Sequence, residues 1–180
     1  MLLSMTTPAA EVDALKAGIF NPPREAPDFS VGGSDGTALT LRRYRGKVVV
    51  LGFGYTHCPN VCPVTLAVLA LAHRKLGALG SQVQVIYLTV DPERDSAERL
   101  KQYLIAFDPS FVGGTGSAAQ MAAVRLSYGV TAQKVGTGSD YGVAHSSFIY
   151  LITREGKLRA LMPFGRKADD YVHDISMLLN

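Results

Sequence analysis

Apolar positions along the chain fall into two patterns. Val48-Val49-Val50-Leu51 forms a continuous β-branched run within Lys47–Tyr55, and Val83–Val90 forms a second. Such runs predict strands buried on both faces. Between them, Pro63–Leu79 is apolar on most sides, which predicts a largely buried helix. Further on, Asp95 with Glu98 three residues later predicts an aspartate version of a capping box, opening a helix to about Phe107. Ser117–Tyr128 predicts another helix, with a short strand at Phe111–Val112 before it. Val130–Val135 reads as the start of a strand, and Thr137–Gly142 as a glycine-rich loop. Ser146–Thr153 and Lys157–Pro163 predict an antiparallel pair around Glu155-Gly156, followed by a last helix over Asp169–Leu179.

Upstream, Phe29–Val31 and Ala38–Leu41 flank a glycine-rich turn and predict a hairpin. Residues 1–26 read as an N-terminal tail in which Pro22, Pro23 and Pro27 oppose any element, apart from a short helix over Glu11–Ala17. Residues 27–180 read as one domain. Strands and helices alternate first, and a hairpin and helix close the chain. That order predicts an α/β three-layer sandwich, with a mixed central sheet, helices on both faces and an extra N-terminal hairpin. The arrangement is thioredoxin-like.

Composition narrows the function. The 180 residues suit one domain with a real core. The net charge of +3 is too small and dispersed for a nucleic-acid partner. Arg42, Arg43 and Arg45 read as a solvated basic turn before a strand. No run approaches the ~18 apolar residues of a membrane span. Met1–Ala10 lacks the basic start and apolar length of a signal peptide. The expectation is a cytosolic protein, or one whose export or anchoring segment lies outside this sequence.

There are only two cysteines, Cys58 and Cys62, and a pair that close cannot staple distant parts of a fold. Their turn, Gly52–Pro63, joins a buried strand to a buried helix. Proline suits the first helical position, so Pro63 is placed there with Cys62 as N-cap. A start at Pro59 would bring Pro63 inside the helix at the cost of a backbone bond. In either placement the sulfurs lie near a helix N-terminus, which stabilises thiolates. Three intervening residues widen the turn enough for both sulfurs to face one ion, while still allowing a disulfide. Soft thiolates favour Cu(I) and Zn(II). Structural zinc wants four nitrogen or sulfur ligands, whereas two thiolates and one imidazole satisfy three-coordinate copper.

Four histidines compete for the third position. His57 adjoins Cys58, and neighbours in an extended turn point apart. His73 and His173 lie on helices, at expected surface positions. His145 stands where the glycine-rich loop enters the strand Ser146–Thr153. In a thioredoxin-like sheet that loop faces the active turn and carries a cis-proline, but here it reads Ala144-His145.

Three segments together carry a family resemblance. They are Gly46–Pro63 with its Cys58-Pro59-Asn60-Val61-Cys62-Pro63, the acidic turn Asp91-Pro92-Glu93-Arg94-Asp95, and Asp140-Tyr141 leading to His145-Ser146. Over about residues 26–178 the chain resembles the Sco/SenC family of thioredoxin-like proteins. The resemblance implies copper, as Cu(I) or Cu(II), held by Cys58, Cys62 and His145. It implies a metallochaperone that delivers copper to the dinuclear copper site of cytochrome c oxidase, or reduces the cysteines of that site. The implied partners are the copper-receiving oxidase subunit, a copper donor chaperone and a thioredoxin-like reductant. The implied location is periplasmic or membrane-anchored facing the periplasm, or the mitochondrial intermembrane space, although no tether is visible.

Two positions depart from the family pattern, Asn60 for the usual Asp and Ala144 for Asp or Asn. Asp91 carries two readings, a support for the copper turn or a strand-end turn opener. Arg94 and Asp95 read as structural. The alternative function is a thiol–disulfide oxidoreductase with Cys58 as nucleophile and Cys62 as its resolving partner. A thiol peroxidase would need an arginine beside Thr56, and none lies in the local motif.

Overall fold

The computed structural model describes residues 15–180. The helix expected over Glu11–Ala17 falls mostly outside them. The strands are β1 (Gly18–Glu25), β2 (Ser30–Gly33), β3 (Ala38–Thr40), β4 (Val48–Gly54), β5 (Val83–Thr89), β6 (Val112–Thr115), β7 (Ala132–Val135), β8 (Gly142–His145), β9 (Ile149–Ile152) and β10 (Lys157–Met162). The helices are α1 (Val61–Lys75), α2 (Ala97–Ile105), α3 (Ala118–Ser127) and α4 (Ala168–Leu179).

Eight strands form one mixed sheet in the order β1-β10-β9-β4-β5-β6-β2-β3, and β7 and β8 form a separate antiparallel pair. The runs predicted as central strands are β4 and β5, parallel neighbours buried at every position. Right-handed crossovers through α1 and α2 step the same way across the sheet, so both helices cover one face. Along β4, side chains alternate between faces. Phe53 points away from the α1 face and meets the ring of Tyr128, just past α3, at 5.7 Å between centroids. Helices therefore lie on both faces. The predicted extra hairpin is β2–β3.

The tail reading of residues 1–26 is corrected at its C-terminal end. Gly18–Glu25 is a strand that pairs antiparallel with β10 despite Pro22 and Pro23. It is an edge strand, and its register shifts between Ile19 and Arg24, so the prolines remove no ladder bond the sheet requires. Just ahead of it, the N–H groups of Lys16 and Ala17 donate to the buried carboxylate of Asp174 on α4.

Three local expectations change. The cysteine helix begins at Val61, not Pro63, with Asn60 as N-cap. Pro63 is then the third helical residue and costs nothing, because the first N–H groups of a helix have no intrahelical acceptor. The first such bond runs from Val64 N to Asn60 O. Helix α2 is capped by Ser96, whose hydroxyl accepts from Arg99 N, which leaves Asp95 free for another task. The strand expected over Ser146–Thr153 is shorter, and His145 instead ends β8.

Candidate metal centre

The cysteine turn leaves the buried end of β4 and enters the first turn of α1. Cys58 is half-buried, and Cys62, the second residue of α1, is buried; both are free thiols. Cys62 N donates to Cys58 Sγ at 3.4 Å. Burial raises the Cys58 thiol, but hydrogen bonds from the Asn60 backbone, the Cys62 thiol and the Cys62 and Val61 backbone outweigh it, and the net shift is downward. Cys62 behaves oppositely, because burial pushes its thiol up to about 12. The pair therefore combines an accessible sulfur inclined to ionise with a protected one that holds its proton.

His145 approaches from the far side of the turn. Its Nε2 lies 3.8 Å from Cys62 Sγ, and its Nδ1 is 2.9 Å from the carbonyl oxygen of Ser146. A carbonyl only accepts, so Nδ1 carries the proton and Nε2 presents a lone pair to the sulfur. Burial lowers the imidazole's proton affinity, which favours that neutral tautomer. The ring is also held by Tyr55, edge-on at 6.1 Å between centroids. Tyr55 Oη accepts from Val143 N, two residues before His145 on β8, at 3.1 Å.

The other three histidines are engaged elsewhere. His57 is turned outward, with Thr56 Oγ1 at 3.3 Å and Arg99 Nη2 at 3.2 Å from its ring nitrogens. His73, expected on the surface, is partly buried, with its ring between Asp108 at 2.9 Å and the Gly80 carbonyl at 3.1 Å. His173 lies beside Asp174 at the surface. Among the described residues, no three His, Cys, Asp or Glu side chains are grouped closely enough to hold a metal as they stand. Cys62 and His145 face each other, and Cys58 Sγ lies beside Cys62, accepting from its N–H.

Several supporting residues escaped the sequence reading. Asp95, fully buried, accepts from Thr56 N at 3.0 Å, from Thr56 Oγ1 at 2.6 Å and from Thr89 Oγ1 at 2.7 Å. It ties the cysteine turn to the end of β5, so its expected role as helix cap is replaced by this one. Arg99 on α2 donates from Nε to Thr56 Oγ1 at 2.8 Å. An arginine thus does reach Thr56, from a segment the local motif does not contain. Of its two readings, Asp91 shows the strand-end turn. Its carbonyl closes the turn by accepting from Arg94 N and Asp95 N. Its buried carboxylate pairs with Arg94 Nε and accepts from Tyr141 Oη at 2.7 Å. Arg94 also lies over the Tyr141 ring at 3.7 Å and donates to the Ser139 carbonyl. These contacts anchor the glycine-rich loop Thr137–Gly142 and with it the start of β8.

The molecule is thus a thioredoxin-like domain with a cysteine pair at a helix start and a histidine facing it. The sequence model of SCO1/SenC matches residues 20–180. The chain is 37% identical over 152 residues to the mitochondrial protein SCO2 homolog of Bos taurus, covering 82% of this chain and 57% of the relative. It spans little more than half of that relative's length. Among solved structures it is similar to copper-bound ScoI of Bradyrhizobium japonicum, with 36% identity, a TM-score of 0.80, and 86% of this chain and 99% of that one covered. It is also similar to apo Sco1 of Thermus thermophilus, with 34% identity, a TM-score of 0.83, and 98% and 100% covered. The chain belongs to the SCO1/SenC family.

Proposed function

We propose that this protein is a metallochaperone that takes copper as cargo on Cys58, Cys62 and His145. The observation that carries the reading is the lone pair of His145 Nε2 aimed at Cys62 Sγ across 3.8 Å, with Nδ1 fixed by Ser146. A backbone acceptor on the far ring nitrogen is the usual way a ligating histidine is oriented. Two thiolates and an imidazole form a soft donor set that suits Cu(I). The copper-bound relative from Bradyrhizobium japonicum supports the same cargo. The proposed recipient is the copper-receiving subunit of cytochrome c oxidase, as family membership implies. The proposed location faces the periplasm or the mitochondrial intermembrane space, and the bovine relative is mitochondrial by name. No helix among the described residues is long and apolar enough to cross a membrane. Metal analysis of the reduced protein tests the reading. One copper per chain, lost on replacing either cysteine by Ala, supports it; undiminished copper in Cys62→Ala rejects it.

A second reading rests on the asymmetry of the two thiols. Cys58, accessible and lowered, suits attack on a disulfide of a partner, and Cys62, buried and raised, suits release of the mixed disulfide. In that reaction the partner's disulfide gains two electrons and two protons as the Cys58–Cys62 disulfide forms. Both readings use the same pair and are compatible with one recipient.

A further inference from the structure

Among the described residues the Tyr87 hydroxyl is fully buried and makes no hydrogen bond of good geometry, and the polar side chain it bears on is Cys62. A buried hydroxyl left unpaired is costly and uncommon. Packing does not require it, since a phenylalanine ring would fill the same space. Tyr87 lies on β5 in register with Gly52 of β4, and its ring passes over the two glycines of that strand. A Cβ at Gly54 would overlap both Tyr87 Oη and Cys62 Sγ, so the glycine keeps open the point where phenol and sulfur converge. The cleft there, bounded by Cys62, Tyr87, His145, Thr65 and Ile149, measures about 10 Å³. That is at the lower limit for a single water. The acceptor in place is the sulfur.

We propose that the Tyr87 hydroxyl is a positioning donor to Cys62 Sγ, and that it favours the reduced, copper-holding form of the turn. The proposal rests on the reading of Cys62 as a copper ligand. A reduced cysteine sulfur accepts a hydrogen bond as a thiol and accepts it more strongly as a metal-bound thiolate. A hydrogen bond to a ligating sulfur draws electron density from it and tunes the metal it binds.

Tyr87→Phe removes the donor and keeps the ring. In the metal-free protein, the dithiol is equilibrated with dithiothreitol, whose disulfide takes up the two electrons and two protons that the cysteines release. Loss of the donor shifts this equilibrium about two- to five-fold towards the Cys58–Cys62 disulfide. In the Cu(II)-loaded protein, the sulfur-to-copper absorption moves to lower energy. Tyr103→Phe, which removes the other unpaired buried hydroxyl beside the site, leaves both readings as in the parent. An unchanged dithiol equilibrium in Tyr87→Phe, or an equal shift in Tyr103→Phe, overturns the proposal whatever copper does. A shifted equilibrium with an unmoved copper absorption overturns the role at the metal. A shift specific to Tyr87→Phe in a protein that binds no copper upholds the hydrogen bond and rejects the chaperone reading instead.

Discussion

Asp95 holds Thr56 by both its backbone and its side chain, at 3.0 and 2.6 Å, across 39 residues of sequence. The cysteine turn is thereby fixed two residues before Cys58 by a carboxylate that is wholly out of solvent. Asp95→Ala would strand the Thr56 N–H and the hydroxyls of Thr56 and Thr89. The expected cost is about 3 kcal/mol of stability, read from urea unfolding. A loss below about 0.5 kcal/mol, within the range of ordinary surface substitutions, would show that the turn holds itself.

The two cysteines should react in a fixed order. Hydrogen bonds lower the Cys58 thiol from its ordinary value and it is partly exposed, while burial holds Cys62 up to about 12. As pH rises from neutral, the Cys58 thiolate appears first, and iodoacetamide should modify it well before Cys62. Peptide mapping against time at several pH values checks this. Modification of Cys62 first would reverse the assignment of nucleophile and resolving thiol.

Copper affinity should fall on acidification. At neutral pH Cys62 carries its proton, so a metal that takes this sulfur must expel it. Each proton released makes the affinity about tenfold weaker per unit of falling pH. His145 is lowered by burial and adds to the loss only at lower pH. Competition titrations with a Cu(I) chelator between about pH 6 and pH 8 measure the slope. An affinity independent of pH would mean that Cys62 is not displaced from its proton.

Arg94 joins the acidic turn to the loop before His145. Arg94→Met would leave the Asp91 carboxylate buried without its cation and release the Ser139 carbonyl. The expected cost is about 3 kcal/mol. Faster amide exchange should be confined to residues 137–145, with the β4 and β5 amides still protected. Uniformly faster exchange would indicate a general loss of the fold instead of a freed loop.

The parts of this fold that were legible in the sequence are those whose cause is local. Val48–Leu51 and Val83–Val90 are strands because β-branched runs suit a strand covered on both faces. The helix expected over Ser117–Tyr128 is there, and the structure adds that Ser117 and Gln120 close a capping box at its start. What was hidden depends on partners far along the chain. Pro22 and Pro23 read as breakers because the strand they occupy exists only through its pairing with β10. Asp95 looked like a cap because nothing nearby announces Thr56. Arg99 reaches the turn from 43 residues away. The cysteines stood out by spacing, and His145 by elimination and topology. The ring's orientation, set by Tyr55 and Ser146, needed the structure.

The central claim is that His145, and not His57, joins the two cysteines in holding copper. His57 faces Thr56 and Arg99, while His145 faces Cys62. The direct measurement is the copper absorption and paramagnetic resonance spectrum of Cu(II)-loaded His145→Ala and His57→Ala proteins beside the parent. His145→Ala should give an altered spectrum and at least tenfold weaker binding, since the loss of even an outer-shell partner of a metal ligand costs about that much, with His57→Ala matching the parent. A parental spectrum from His145→Ala, with an altered one from His57→Ala, would contradict it.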